Sequence, residues 1–144
     1  KKNINKNKNY NSFNLALSSK IGNSLLYYKP EFGDSSLNEM GDYQKVYKVK
    51  TSTYDEIVNK YFPNKNIKLF KLEAEGHEPE IIDGMKIYLN NIEYIAADLG
   101  FERGLAQQST LPDVVNKLLK NNYIIVGVSK DSLRLLFKNL EYHE

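Results

Sequence analysis

From residue 53 onward, helix signals and strand signals alternate along the chain, and no other feature limits its fold so strongly. Thr53, followed three residues later by Glu56, is a capping box. It opens a helix whose apolar stripe is Ile57, Val58, Tyr61 and Phe62, and Pro63-Asn64 stops it. "NIKLFKLE" follows as a near-continuous apolar run, the pattern of a strand covered on both faces. Pro79 suits a first helical turn, and Ile81, Ile82, Met85, Tyr88 and Leu89 recur at helical spacing. Gly84 inside that helix costs about 1 kcal/mol against alanine, so it reads as a point of close packing. "IEYIAAD" is the next strand, and Thr110 with Asp113 caps a helix carrying Val114, Val115, Leu118 and Leu119. "YIIVGVS" and "LRLLFKN" close the chain as two strands joined at Lys130-Asp131. The order α-β-α-β-α-β-β predicts an α/β fold, a mostly parallel sheet with helical crossovers that ends in an antiparallel hairpin.

Upstream the grammar is that of strands. "SFNLALSS" alternates Phe13, Leu15 and Leu17 with polar or small neighbours, and "NSLLYY" reads as a second strand after a turn at Lys20-Ile21-Gly22. Pro30, Gly33 and Gly41 mark a loop, and "KVYKVK" is a short strand whose lysines suit a sheet edge. Residues 1–12 are a Lys/Asn-rich flexible segment, which leaves 13–144 as a single α/β domain. The chain opens at Lys1 rather than methionine, the look of a processed chain or of a piece of a longer one.

Composition excludes several chemistries. There is no cysteine, which rules out disulfides, thiolate catalysis and cysteine-bound metal. Two histidines cannot build a histidine-rich metal site. A net charge of +2 gives no global attraction to nucleic acid or a membrane surface. No apolar stretch approaches the roughly 20 residues that span a bilayer, and no signal peptide is visible. The expected location is cytoplasmic.

Chemistry gathers in "KLEAEGHEPE", residues 71–80. On a strand Lys71, Glu73 and Glu75 share one face, at the carboxyl end where ligands of open α/β sheets bind. Gly76 permits a sharp exit, and Glu78 and Glu80 fall at a helix start, where negative charge is favoured. The next parallel strand also ends in an acid, Asp98. Neighbouring strands lie about 4.8 Å apart, so Glu73 and Asp98 would converge if their strands pair. Two such carboxylates can share a proton, raising one of them into general-base range, or hold a divalent cation. The structural alternative is that Lys71 or Arg103 neutralises one of them. His77 reads either as a proton shuttle or as an exposed turn residue.

"LFKLEAEGHEPEIIDGM" resembles the signature segment of the FkbM family of S-adenosylmethionine-dependent methyltransferases, with its residues at Lys71, Glu73, Glu75, Gly76, Glu78 and Gly84. "NLALSS" is similar to that family's third-strand segment, "TSTYDEI" to its TLDDL-like helix start, and "AADLGFERG" to its acid-ending fifth strand with the following Glu-Arg-Gly. The resemblance covers residues 13–137. Glu73 stands where the family usually has Asp, Asp98 where Glu is common, and Tyr54 in place of the TLDDL leucine.

The resemblance implies an incomplete Rossmann-like methyltransferase fold and an O-methyltransferase acting on a hydroxyl of a sugar, glycan or small metabolite. Glu73 or Glu75 would take the acceptor proton and Asp98 would assist, while Lys71 tunes the carboxylates and His77 shuttles. Glu78 and Arg103 would meet the acceptor, with Arg103 suited to an anionic one. The eight glycines contain no G-x-G pair after a strand, so the part that grips the methyl donor is missing and only Ala16, Leu17 and Ser18 would touch the cofactor's adenine edge. The chain alone is then expected to be inactive, and its open sheet edge suits a homodimer. The competing reading is a non-catalytic methyltransferase-like module that binds a partner or a glycan.

Overall fold

The computed structural model describes residues 11–30 and 34–143, so residues 1–10 of the expected flexible segment lie outside it. Two mixed sheets and three helices make up the α/β fold. The first sheet has strand order β1-β3-β2, from Ala16–Leu17 (β1), Gly22–Tyr28 (β2) and Lys45–Ser52 (β3). The second has order β4-β5-β7-β6, from Ile67–Leu72 (β4), Ile92–Asp98 (β5), Tyr123–Val128 (β6) and Arg134–Asn139 (β7).

The α-β-α-β-α-β-β order from residue 53 is present, but the sheet is not mostly parallel. Only β4 and β5 pair in parallel within it. The cause is the closing hairpin. β7 returns antiparallel to β6 and inserts between β5 and β6, so both of its own contacts are antiparallel. The first sheet is mixed as well, with β1 parallel and β2 antiparallel to β3. β3 is central by order, yet β1 pairs only with Thr51 and Ser52, which leaves Lys45 to Lys50 an open edge as the lysines suggest. β1 is also shorter than its alternating pattern.

Helix α1 (Tyr54–Tyr61) starts where the capping box places it: the Glu56 N–H donates to Thr53 Oγ1 at 3.1 Å. Helix α2 (Glu78–Asp83) is much shorter than its apolar spacing predicts. It ends at Gly84, where a Cβ would lie 2.4 Å from the Ser18 carbonyl oxygen, so the glycine does mark close packing, at a helix end rather than inside a helix. Met85 and Leu89 are buried beyond that end, Leu89 in a single 3-10 turn. Helix α3 (Leu111–Lys120) buries Val114 and Leu118 but leaves Leu119 exposed. Thr110 does not cap it, because its hydroxyl donates to Glu78.

All three helices feed one core with one face of the second sheet, where Leu72, Ile95, Ala97 and Phe137 meet Val58, Ile82, Val114 and Leu118. Burying each large side chain contributes about 1.5–3 kcal/mol. β4 is therefore covered on one face only, contrary to its apolar run: Leu72 is 1% exposed and Leu69 is 57% exposed. Among the described residues, no helix is long and apolar enough to cross a membrane.

Candidate functional site

β4 and β5 run side by side with Leu72 opposite Ala97, so the residues that follow them leave the sheet at the same end. There Glu73, Glu75 and Asp98 line one cleft of about 430 Å³. Its other acids, Asp34, Asp42 and Glu102, come from loops. Two ion pairs flank the cleft. Lys71 pairs with Glu73, and the Arg134 Nε donates to Asp98 Oδ2 at 2.6 Å from the register-paired position on β7. The structural alternative read from sequence therefore holds for Glu73 through Lys71, whereas Asp98 takes Arg134 rather than Arg103.

Of Glu73, Glu75 and Asp98, Glu75 has no ion-pair partner among the described residues. It does not lie on the strand, since β4 ends at Leu72 and Glu75 sits in a turn at φ +48°. A left-handed non-glycine residue costs on the order of 1–3 kcal/mol and persists where its surroundings over-determine it. Four side chains do so here. Ser36 Oγ donates to the Glu75 carbonyl oxygen at 2.7 Å. Asn38 Nδ2 and Arg103 Nη1 donate to the Gly76 carbonyl oxygen at 2.7 and 2.6 Å. Glu78 Oε1 accepts from the Ala74 and Gly76 N–H groups at 2.7 and 3.2 Å. Gly76 makes the sharp exit at φ +89°, and a Cβ there would lie 2.5 Å from Arg103 Cα. Partial burial, followed by repulsion from Glu102, Asp34, Glu73 and Glu78, raises the Glu75 carboxyl to about 7. Glu102 is raised by burial and by Asp98, so the cleft favours protons on its inner carboxyls.

The remaining expected site residues are placed elsewhere. Glu78 is fully buried and, besides its two N–H donors, accepts from Thr110 Oγ1 at 3.0 Å, so it braces the loop instead of meeting an acceptor. Arg103 is held by two hydrogen bonds to Glu80, at 2.9 and 2.5 Å, and lines the neighbouring hollow rather than the acidic cleft. His77 is buried rather than exposed on a turn. Its Nε2 lies 3.0 Å from Ser18 Oγ, its Nδ1 has no hydrogen-bond partner, and burial lowers its pKa.

Ala16 and Leu17 line a neighbouring cavity of about 280 Å³ with Phe70, Leu72, His77 and Ile81, and Glu73 borders both it and the acidic cleft. The cavity wall is mostly apolar. The Ser18 N–H goes to the Ser52 carbonyl oxygen and its hydroxyl to His77, so Ser18 has little left for a ligand. Among the described residues, no group of three or more acidic or histidine side chains is arranged to hold a metal ion.

Sequence reasoning did not single out Asp34, Ser36, Asn38 or Arg134, and it met Glu102 only as part of the Glu-Arg-Gly match. Glu102 and Arg134 lie within segments whose type was legible, but only pairing of β5 with β7 brings Arg134 to Asp98. No protein-family model, curated protein or solved structure matches this chain.

Proposed function

We propose that the acidic cleft is the acceptor site of an S-adenosylmethionine-dependent O-methyl transfer, in a chain whose sequence resembles the FkbM family. The observation that carries this reading is Glu75, a carboxyl facing a cleft, clamped in a strained turn and poised at about 7, where a general base works best. The ionised Glu75 would accept the hydrogen bond of an acceptor hydroxyl and take its proton as that oxygen bonds to the methyl carbon and the donor's carbon–sulfur bond breaks, releasing the neutral thioether. Glu73 and Asp98, held by Lys71 and Arg134, orient neighbouring hydroxyls. The sulfonium donor, when bound, supplies an already activated methyl group, so positioning by these residues accounts for most of the rate. Among the described residues, the mostly apolar cavity at Ala16 and Leu17 is the place this reading gives to that donor's adenine end.

The cleft lining carries six acids, Asp34, Asp42, Glu73, Glu75, Asp98 and Glu102, against Lys29 and Arg134. That balance favours a neutral or amine-bearing acceptor, such as a sugar or amino sugar, over an anionic one.

The test is to incubate the protein with methyl-labelled S-adenosylmethionine and hydroxyl acceptors, including glucosamine, and to follow label in O-methyl products. The chain alone is expected to transfer nothing; joined to a methyl-donor-binding half it should label the acceptor and Glu75→Gln should abolish that label, whereas equal transfer by both joined proteins, or none by either, sinks the reading. The ion pairs on Glu73 and Asp98 favour a second reading, a non-catalytic glycan-binding module. It calls for acceptor binding without transfer, unchanged in Glu75→Gln.

A further inference from the structure

A second hollow adjoins the acidic cleft. Its volume is about 600 Å³, and it lies between β2, through Ser24, Leu25 and Tyr27, and the loop of residues 103–108. The two hollows share Gly104 and Leu105 as lining. The loop is a small closed hairpin: the Arg103 N–H donates to the Gln108 carbonyl oxygen at 3.1 Å, and the reverse bond is 3.0 Å. Gly104 at φ +66° and Gln107 at φ +47° turn the chain inside it. Leu105 is thereby held at 67% exposure, facing the same hollow as Leu25 at 49%.

The chemistry changes from one hollow to the next. The cleft is strongly acidic, whereas the groove carries only Glu39 and Arg103 as charges, and Arg103 is already paired with Glu80. Its remaining character is amide and apolar, from Asn38, Gln108, Leu25 and Tyr27. A ligand that fits both has a hydroxyl- or amine-bearing end unit and a continuation with uncharged polar edges and apolar faces. Linked sugar rings have that surface. Each volume alone falls within the roughly 300–1,000 Å³ of ordinary ligand pockets, so the pair exceeds what a single ring fills.

An extended peptide that added as a strand would pair along the outer edge of β2. That edge is blocked at Tyr27, whose N–H and carbonyl are both bonded to Ser36, at 2.8 and 3.2 Å.

We propose that the groove between β2 and residues 103–108 is a subsite for the body of an oligosaccharide whose terminal unit occupies the acidic cleft. This rests on the acceptor-site reading above and narrows it from any small hydroxyl compound to an oligomeric glycan. Leu25 and Leu105 cover ring faces, and Gln108 supplies hydrogen bonds to hydroxyl edges.

The experiment is an amide-shift titration of the full chain with glucosamine and with its β-1,4-linked dimer and trimer. The monomer is expected to shift residues around Glu75 and Glu102 only, and the trimer to add Ser24, Leu25 and Gln108. The trimer should bind about tenfold tighter than the monomer. Leu25→Ser and Gln108→Ala should each weaken the trimer by roughly threefold and leave the monomer unchanged. Equal affinity for monomer and trimer, or full trimer affinity in Leu25→Ser, overturns the subsite while leaving the acceptor site standing. No shift at the cleft with any of the three sugars counts against both. Shifts along β2 with an unrelated extended peptide, and none with the trimer, would assign the groove to peptides instead.

Discussion

Ser36 donates its hydroxyl to the backbone carbonyl oxygen of Glu75 at 2.7 Å, a contact between residues 39 positions apart. Ser36 is 2% exposed and is bonded in both directions to Tyr27, so strand β2 reaches through it to the turn that aims the carboxyl of Glu75. Replacing Ser36 with alanine removes that hold and leaves the backbone bridge to Tyr27. The turn relaxes, the carboxylate gains water, and its pKa falls from about 7 toward the ordinary carboxylate value. A carbon-13 carboxyl titration reads this directly. A Glu75 that still titrates near 7 in Ser36→Ala removes Ser36 from the explanation.

The raised pKa of Glu75 makes stability depend on pH. The folded state keeps this proton to about 7, whereas the unfolded chain releases it near 4.5. The contribution is fully present below about 4.5 and is lost as pH climbs through about 7. Glu102, also raised, acts in the same sense. Glu80 and His77 are lowered and act in the opposite sense, so the whole-protein curve mixes all four. Comparison with Glu75→Gln isolates the first of them. In urea unfolding the variant should gain on the natural protein between pH 5 and pH 8; a constant difference would refute the assignment.

Gly84→Ala should destabilise the fold by about 1–3 kcal/mol although alanine is the better helix former. The added Cβ meets a backbone oxygen, that of Ser18, at 2.4 Å, and neither partner is a flexible side-chain end. Gly76→Ala should cost more, because φ +89° adds backbone strain to a 2.5 Å approach to Arg103 Cα. Gly41→Ala, where nothing lies within 4 Å, should stay within about 0.5 kcal/mol. Chemical denaturation ranks the three, and a neutral Gly84→Ala would refute the close approach.

Glu78→Ala should destabilise by about 2–5 kcal/mol. It strands the N–H groups of Ala74 and Gly76 and the hydroxyl of Thr110, all of which now donate to one buried carboxylate. Glu78→Gln, which keeps one acceptor oxygen, should recover part of the loss. If alanine is tolerated at full stability, the brace is unnecessary and the turn at Glu75 is held by other means.

The local rules were legible in the sequence. Thr53 and Glu56 announce the start of α1, the "IEYIAAD" run is β5, and the closing hairpin falls at its turn residues. The convergence of Glu73 and Asp98 followed from side-chain alternation and strand spacing, and both do line one cleft. Illegible was whatever depends on a neighbour distant in sequence. The apolar spacing of residues 81–89 promised a long helix, yet the helix ends at Asp83 and Gly84 packs against the carbonyl oxygen of Ser18, a neighbour distant in sequence. The burial of His77 and Glu78 and the use of Thr110 are of the same kind, since each is set by a partner on another element.

By themselves, then, residue periodicity and capping determined most of the elements that form and that an acid ends β5 and another directly follows β4, because those properties arise from contacts within a few residues of chain. Tertiary structure alone decided that β7 would separate β5 from β6, that Lys71 and Arg134 would hold two of the acids, and that Glu75 would be left raised among like charges. Strand insertion, ion pairing and desolvation depend on distances through space, and no spacing along the chain encodes those.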